Sequence, residues 1–176
     1  MENQKEQLNE ELDENDENLD INNVLTKHVI GAMAVGLIPM PVIDLVALTG
    51  VQLNLVRKIS QIYKIPFSQD KVKNILASLI GSGLSVTLSK AFASFLKVIP
   101  IIGQTTGVLA MPLLAGASTY AVGKVFIHHF ESGGTFLNFN PETVKEYYEA
   151  MFKEGKKVVS NLKKNEEIKK DNQVNE

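Results

Sequence analysis

Long stretches of this chain carry almost no charge. From Val29 to Val56 the single charged side chain is Asp44, Asn74 to Ser89 has none, and neither has the run from Val98 to Gly123. Helix signals punctuate these runs. Asn22 or Asn23 caps a first helix that is expected to reach about Leu37, where Pro39-Met40-Pro41 stops it, because a residue before proline is pushed out of the α region. Pro41 suits the first turn of a second helix, where its missing N–H is not needed, and that helix should run to about Lys64 before Ile65-Pro66. Ser68 is the N-cap of a third, with Asp70 in the first turn facing the positive end of the helix dipole. The third helix has a weak point at Gly81-Ser82-Gly83 and is predicted to reach about Leu96. Pro100 and Gly103 mark the next turn. A fourth helix is predicted from about Gln104 to Phe130, kinked at Pro112 and broken by Glu131-Ser132-Gly133-Gly134. Phe136, Leu137 and Phe139 then suit a short extended segment. Asn140-Pro141 opens a fifth helix, in which Val144, Tyr148, Met151, Phe152, Val158, Val159 and Leu162 share one face at helical spacing.

The pattern predicts an all-α fold of about five helices: two apolar helical hairpins with Ile-Pro turns, then a C-terminal amphipathic helix. The turns are Ile38-Pro39-Met40-Pro41 and Ile99-Pro100-Ile101-Ile102. Their likeness suggests an internal duplication, although Ile-Pro turns are common and the match is short. The helical domain is expected over 22–162. Residues 1–21 and 163–176 read as an acidic and a polar disordered tail, too poor in apolar residues to offset the entropy of ordering. The acidic start is the reverse of a signal or transit peptide, which opens basic and turns apolar, so export is not expected.

Charge changes this picture because the chain is segregated. Its 176 residues have a formal net charge of −2, yet residues 1–20 hold nine acids and one lysine, residues 21–140 nine basic residues and three acids, and residues 141–176 eight of each. The absence of cysteine excludes a disulfide scaffold, a thiol nucleophile, an iron–sulfur cluster and cysteine-ligated zinc. Three histidines are present. His128 and His129 are adjacent and point about 100° apart on a helix, so they do not chelate one ion together; His128 with Glu131 is a conceivable two-ligand pair, and a local helix-end pair is the simpler reading. Gly116 and Gly123-Lys124 lack phosphate-loop spacing, and Val125 stands where Ser or Thr should follow the lysine. Gly81-Ser82-Gly83 lacks the third glycine and preceding strand of a dinucleotide fingerprint, and no Gly-x-Ser-x-Gly elbow occurs. The basic residues are too scattered for a nucleic-acid footprint. The expectation is a non-enzyme with no catalytic residue, cofactor, metal or nucleic-acid partner. Asp44 is assigned a structural part in the first turn after Pro39 and Pro41, where a carboxylate meets free N–H groups; an ion or proton site is the alternative.

A helix needs about 20 apolar residues to cross a bilayer. The first hairpin offers two half-spans, Val29 to Ile38 and Val42 to Val56, so it would be re-entrant, interfacial or buried in protein. The 98–123 run is long enough but diluted by Gln104, Thr105, Thr106, Pro100 and Pro112. Small residues such as Gly31, Ala34, Gly36, Gly103 and Gly107 permit close helix packing in lipid or in water. Arg57, Lys58, Lys64, Lys71 and Lys73 would favour an anionic leaflet beside a membrane, and otherwise form a solvated surface. Membrane association and a soluble helical bundle both remain open from the residues alone.

The order of motifs points to a family. Ile38-Pro39-Met40-Pro41-Val42-Ile43-Asp44 with Gln52 and Ile62-Tyr63-Lys64, followed by Ile99-Pro100-Ile101-Ile102-Gly103-Gln104 and the stretch from Thr119 to Leu137 with its Phe-Glu-Ser-Gly-Gly run, resembles the bacterial YcjF-like domain family of unknown function. The resemblance covers roughly residues 27–155, with Pro39, Pro41, Asp44, Pro100, Gly103, Gly123, Gly133 and Gly134 as its structural positions. It implies a helical, often membrane-associated module found beside or fused to a small GTPase, and it offers no catalytic residues to carry over. This chain has no GTPase domain of its own. The expected function is a non-enzymatic, membrane-associated helical module acting with a separate partner, by the resemblance a GTPase, at the bacterial inner membrane with both tails cytoplasmic. The alternatives are a soluble all-α interaction or homo-oligomerising protein in the cytoplasm and, more weakly, a small pore using Asp44.

Overall fold

The computed structural model describes residues 20–37, 41–83 and 107–174, apart from the side chains of 41–45, 80–83, 107–110 and 166–174. Among the described residues there are five helices and no strand: α1 (20–35), α2 (Pro41–Ile62), α3 (Gln69–Gly83), α4 (Gly107–Glu131) and α5 (Lys145–Val174). The all-α expectation holds.

The apolar run that the sequence marks most strongly becomes the axis of the domain. No residue from Pro112 to Ile127 is exposed, the expected environment of a helix apolar on every side. α1, α2 and α5 wrap this one. α2 runs parallel to α4: Gln52 meets Ser118, Leu55 lies against Gly123, and Tyr63 reaches Glu131. α1 and α5 run antiparallel to it. Leu25 and Gly36 of α1 face Gly123 and Pro112, while Tyr147, Glu154 and Val159 of α5 face His128, Tyr120 and Gly116. α4 continues unbroken through Pro112. Two glycines set the spacing of this layer: a Cβ on Gly36 would stand 2.9 Å from the Pro112 backbone, and one on Gly155 would stand 2.9 Å from the Ala117 carbonyl oxygen.

α2 and α4 end in the same way, side by side. Lys64 (φ 56°) follows α2 in the left-handed conformation, and the Ile65 N–H donates to the Ser60 carbonyl across 2.7 Å. Gly133 (φ 77°) does the same after α4, and the Gly134 N–H donates to the His129 carbonyl across 2.9 Å. Both are Schellman closures, which satisfy orphan carbonyls and favour glycine at the left-handed position. Ser68 precedes α3 as predicted, its carbonyl accepting from the Val72 N–H.

Three boundaries differ from expectation. Phe136–Phe139 is a turn rather than an extended segment. The Thr135 N–H donates to Asn138 Oδ1, and Phe136 and Phe139 fold back onto Phe126, the latter stacked with ring centroids 4.9 Å apart. α5 begins at Lys145 after a turn over 141–144, where Asn140 Oδ1 accepts the Glu142 N–H. It then extends to Val174, well into the segment expected to be a disordered tail; the run of Lys and Glu residues there is compatible with helix even though it has little to bury. The second Ile-Pro turn at Ile99-Pro100 lies outside the described residues, as does residues 1–19 of the acidic tail. The described part of α3 packs chiefly on α5 and α2.

Candidate functional site

α1 and α2 lie antiparallel and do not close on each other at the outer surface. Between them runs a groove of about 460 Å³. Lys27, His28 and Asn54 line one end, Gly31 and Gly50 the middle, and Val35 and Ala47 the end nearest the hairpin turn. The opening follows from the small residues: a Cβ placed on Gly31 or Gly50 would meet nothing within 4 Å. The flanks are apolar and in contact with solvent. Ile30 is 40% exposed, Leu37 56% and Val46 70%. An outer helix face would ordinarily be polar, so this hairpin presents hydrocarbon where water should be.

Lys27 is exposed and forms no ion pair with a described residue. His28 is buried at the same end, with Nδ1 2.7 Å from the Val24 carbonyl oxygen. A carbonyl only accepts, so Nδ1 carries hydrogen and the ring is held in one orientation.

Beneath the hairpin, a line of polar groups crosses the core. Gln52, 1% exposed, donates from Nε2 to Ser118 Oγ at 3.2 Å and to Thr119 Oγ1 at 3.5 Å, and Ser118 Oγ is 3.1 Å from the Tyr148 hydroxyl. Three helices thereby share one hydrogen-bonded seam. Burial raises the Tyr148 pKa above that of an ordinary phenol, and the Ser118 hydrogen bond offsets part of this. These residues hydrogen-bond one another and tie α2, α4 and α5 together at one level.

The histidines at the end of α4 are absorbed locally. The His128 ring packs against Tyr147 at 4.8 Å between centroids, and His129 Nε2 donates to the Thr135 carbonyl at 3.0 Å. Glu131, the conceivable partner of His128, accepts instead from the Tyr63 hydroxyl at 3.1 Å. Among the described residues, no group of three or more His, Cys, Asp and Glu side chains could hold a metal ion.

The positions singled out in the sequence do not form one site. Gly123 lies in mid-α4 under Leu25 and Leu55, Gly133 closes α4, and Gly134 packs against the His129 ring. Pro41 begins α2 and Asp44 falls in its first turn, with both side chains outside the described set. Pro39, Pro100 and Gly103 lie outside the described residues altogether. The groove residues Lys27, Gly50 and Asn54 were not flagged by motif. The pairing of small residues on two helices becomes visible when the antiparallel register brings Gly31 level with Gly50.

Among the described residues, no helix is long and apolar enough to cross a membrane. The family model described as "Domain of unknown function (DUF697)" matches residues 2–157. Magnetosome membrane protein 22 of Magnetospirillum gryphiswaldense is 34% identical over 146 residues, covering 82% of this chain and 75% of that protein. No solved structure matches the chain.

Proposed function

The chain belongs to the DUF697 family of domains of unknown function, and from that premise we propose that it is a non-enzymatic helical module held at a membrane surface by the outer face of its α1/α2 hairpin. The observation that carries this reading is the exposure of Ile30, Leu37 and Val46 within a stretch whose single charge is Asp44. It is supported by the relative from Magnetospirillum, whose name is that of a membrane protein.

The apolar stretch of each arm is too short to span a hydrocarbon core, so the face lies in the interfacial layer, where amphipathic helices bury their apolar side by about 5–10 Å. Lys27, Arg57 and Lys58 are exposed toward the open end of the hairpin and meet anionic headgroups there. Lys164 of α5 is exposed, five residues beyond the Val159 that faces Gly116, and immersion of that end of the bundle would desolvate it. Contact is therefore along the hairpin face.

In this reading the module works at the bacterial inner membrane with its tails in the cytoplasm, and any nucleotide-driven step comes from a separate protein, a GTPase. The support for that partner is the YcjF-like resemblance together with the lack of a phosphate-binding loop in this chain. The exposed charged side of α5 offers the partner a surface away from the lipid.

Flotation of the full chain with phosphatidylcholine vesicles, with and without a third of phosphatidylglycerol, tests the reading. The chain should float, more completely with the anionic lipid and less in high salt. A chain that stays at the bottom of both gradients, and in the detergent-free supernatant of lysed cells, sinks it. Co-purification from the native cell should recover a GTPase, and repeated absence of any GTPase removes that partner.

A further inference from the structure

The groove invites a narrower assignment, which rests on the membrane reading. We infer that the α1/α2 groove takes one acyl chain of an anionic phospholipid, with the lipid phosphate at Lys27 and Asn54.

A volume of about 460 Å³ falls in the range of small-molecule sites. From Lys27 to Val35 the groove is roughly 12 Å long at 1.5 Å per residue. That accommodates a flexible chain but not a helix, which is about 10 Å across and needs several turns to anchor.

Polarity is graded along it. Lys27 and Asn54, from different helices, stand together at one end, and both are exposed. Gly31, Gly50, Val35 and Ala47 continue as an apolar channel, and beyond them Leu37 and Val46 carry the apolar surface onward. A ligand with an anionic head and a hydrocarbon tail matches both parts. A free phosphate would leave the channel empty, and a neutral alkyl chain would leave the cation unmatched. Glycine at positions 31 and 50 keeps the channel open, since any larger side chain would occupy it.

The test titrates the full chain with dihexanoyl phosphatidylglycerol below its micelle concentration, by calorimetry. Dihexanoyl phosphatidylcholine and glycerol 3-phosphate serve as comparators. The anionic lipid should bind, the zwitterionic lipid about fivefold more weakly, and glycerol 3-phosphate without measurable heat. Gly50→Leu, or Gly31→Leu from the other wall, should weaken the lipid at least tenfold while the circular dichroism spectrum is kept and Tm is kept or raised. Lys27→Gln, an exposed change that spares the fold whatever the glycine variants do, should cost about fivefold and erase the preference for phosphatidylglycerol.

Equal binding of glycerol 3-phosphate, or unchanged lipid affinity in Lys27→Gln or in a folded glycine variant, overturns the assignment. So does sedimentation that finds a dimer split by Gly50→Leu and indifferent to lipid, because the occupant is then a second copy. Vesicle flotation, read in parallel, keeps the two ideas apart. A chain that floats but binds no short-chain lipid loses the groove and keeps the membrane surface; a chain that binds the lipid but does not float does the reverse.

Discussion

The Tyr120 hydroxyl donates to Oε1 of Glu154 across 2.6 Å, joining the central helix to α5. The same phenol ring lies 5.7 Å beneath the Lys124 ammonium, so one side chain serves as a donor at its tip and as an aromatic face along its side. Tyr120→Phe keeps the ring and removes the donor. Since Glu154 is exposed and water replaces the lost partner, the cost should be about 0.5–1.5 kcal/mol by urea titration. No change in urea midpoint would show that the clasp contributes nothing.

The tyrosines also predict alkaline behaviour. Burial raises Tyr120, Tyr147 and Tyr148 above the ordinary phenol value of 10.0; the Glu154 hydrogen bond and charge add to the effect at Tyr120, and the Glu131 and Glu154 charges add to it at Tyr147. A raised folded-state pKa means that the unfolded chain loses its protons first as pH rises. The contribution of these phenols is therefore complete below about pH 10 and is lost above it. Stability should be level on this account through neutral pH and fall beyond pH 10, with phenolate absorbance at 295 nm rising together with loss of helical ellipticity. Phenolate formation for all tyrosines well before unfolding would contradict the burial.

Two glycines should respond to alanine in opposite directions. Gly31 lies in a helix facing open space, so Gly31→Ala gains helix propensity and should stabilise the domain by roughly 0.5–1 kcal/mol. Gly155 has the Ala117 carbonyl 2.9 Å from where a Cβ would stand. Gly155→Ala must push α5 away from α4 and should cost about 1–3 kcal/mol despite its better propensity. Thermal melts of the two variants give the sign directly.

Gln52 distinguishes shape from polarity in the buried seam. Gln52→Ala opens a cavity and strips a donor from Ser118 and Thr119, and should destabilise by about 2–4 kcal/mol. Gln52→Leu fills most of the volume, and Ser118 still has the Tyr148 hydroxyl; its loss should be less than half as great. Equal losses would mean that hydrogen bonding, rather than packing, dominates at this position.

Lys64 occupies a left-handed position that costs a side-chain-bearing residue roughly 1–2 kcal/mol. Lys64→Gly removes that strain but frees the unfolded chain, so a net gain of about 0.5–1 kcal/mol is expected. The equivalent closure after α4 already has glycine, and Gly133→Ala should lose a comparable amount. A chemical-denaturation midpoint for each variant is sufficient.

Local chemistry in the sequence was enough to define the helices. Prolines at 41 and 66 and glycines at 133 and 134 act on the backbone within a few residues, and the charge-free run of the 107–131 helix favours burial. Legibility stopped where competing local signals were weak. The end of α5 ran past Leu162 because its lysines and glutamates are good helix formers, and Phe136–Phe139 became a turn because Phe126 draws both rings back. The tertiary structure alone decided that the 107–131 helix is the axis, and that Glu131 accepts from Tyr63 rather than pairing with His128. It also brought Gly31 and Gly50, on separate helices, to the same level of one groove. Periodicity shows which face of a helix is apolar but carries no information about which helix will cover it. On the outer face of α1 and α2, no described helix does.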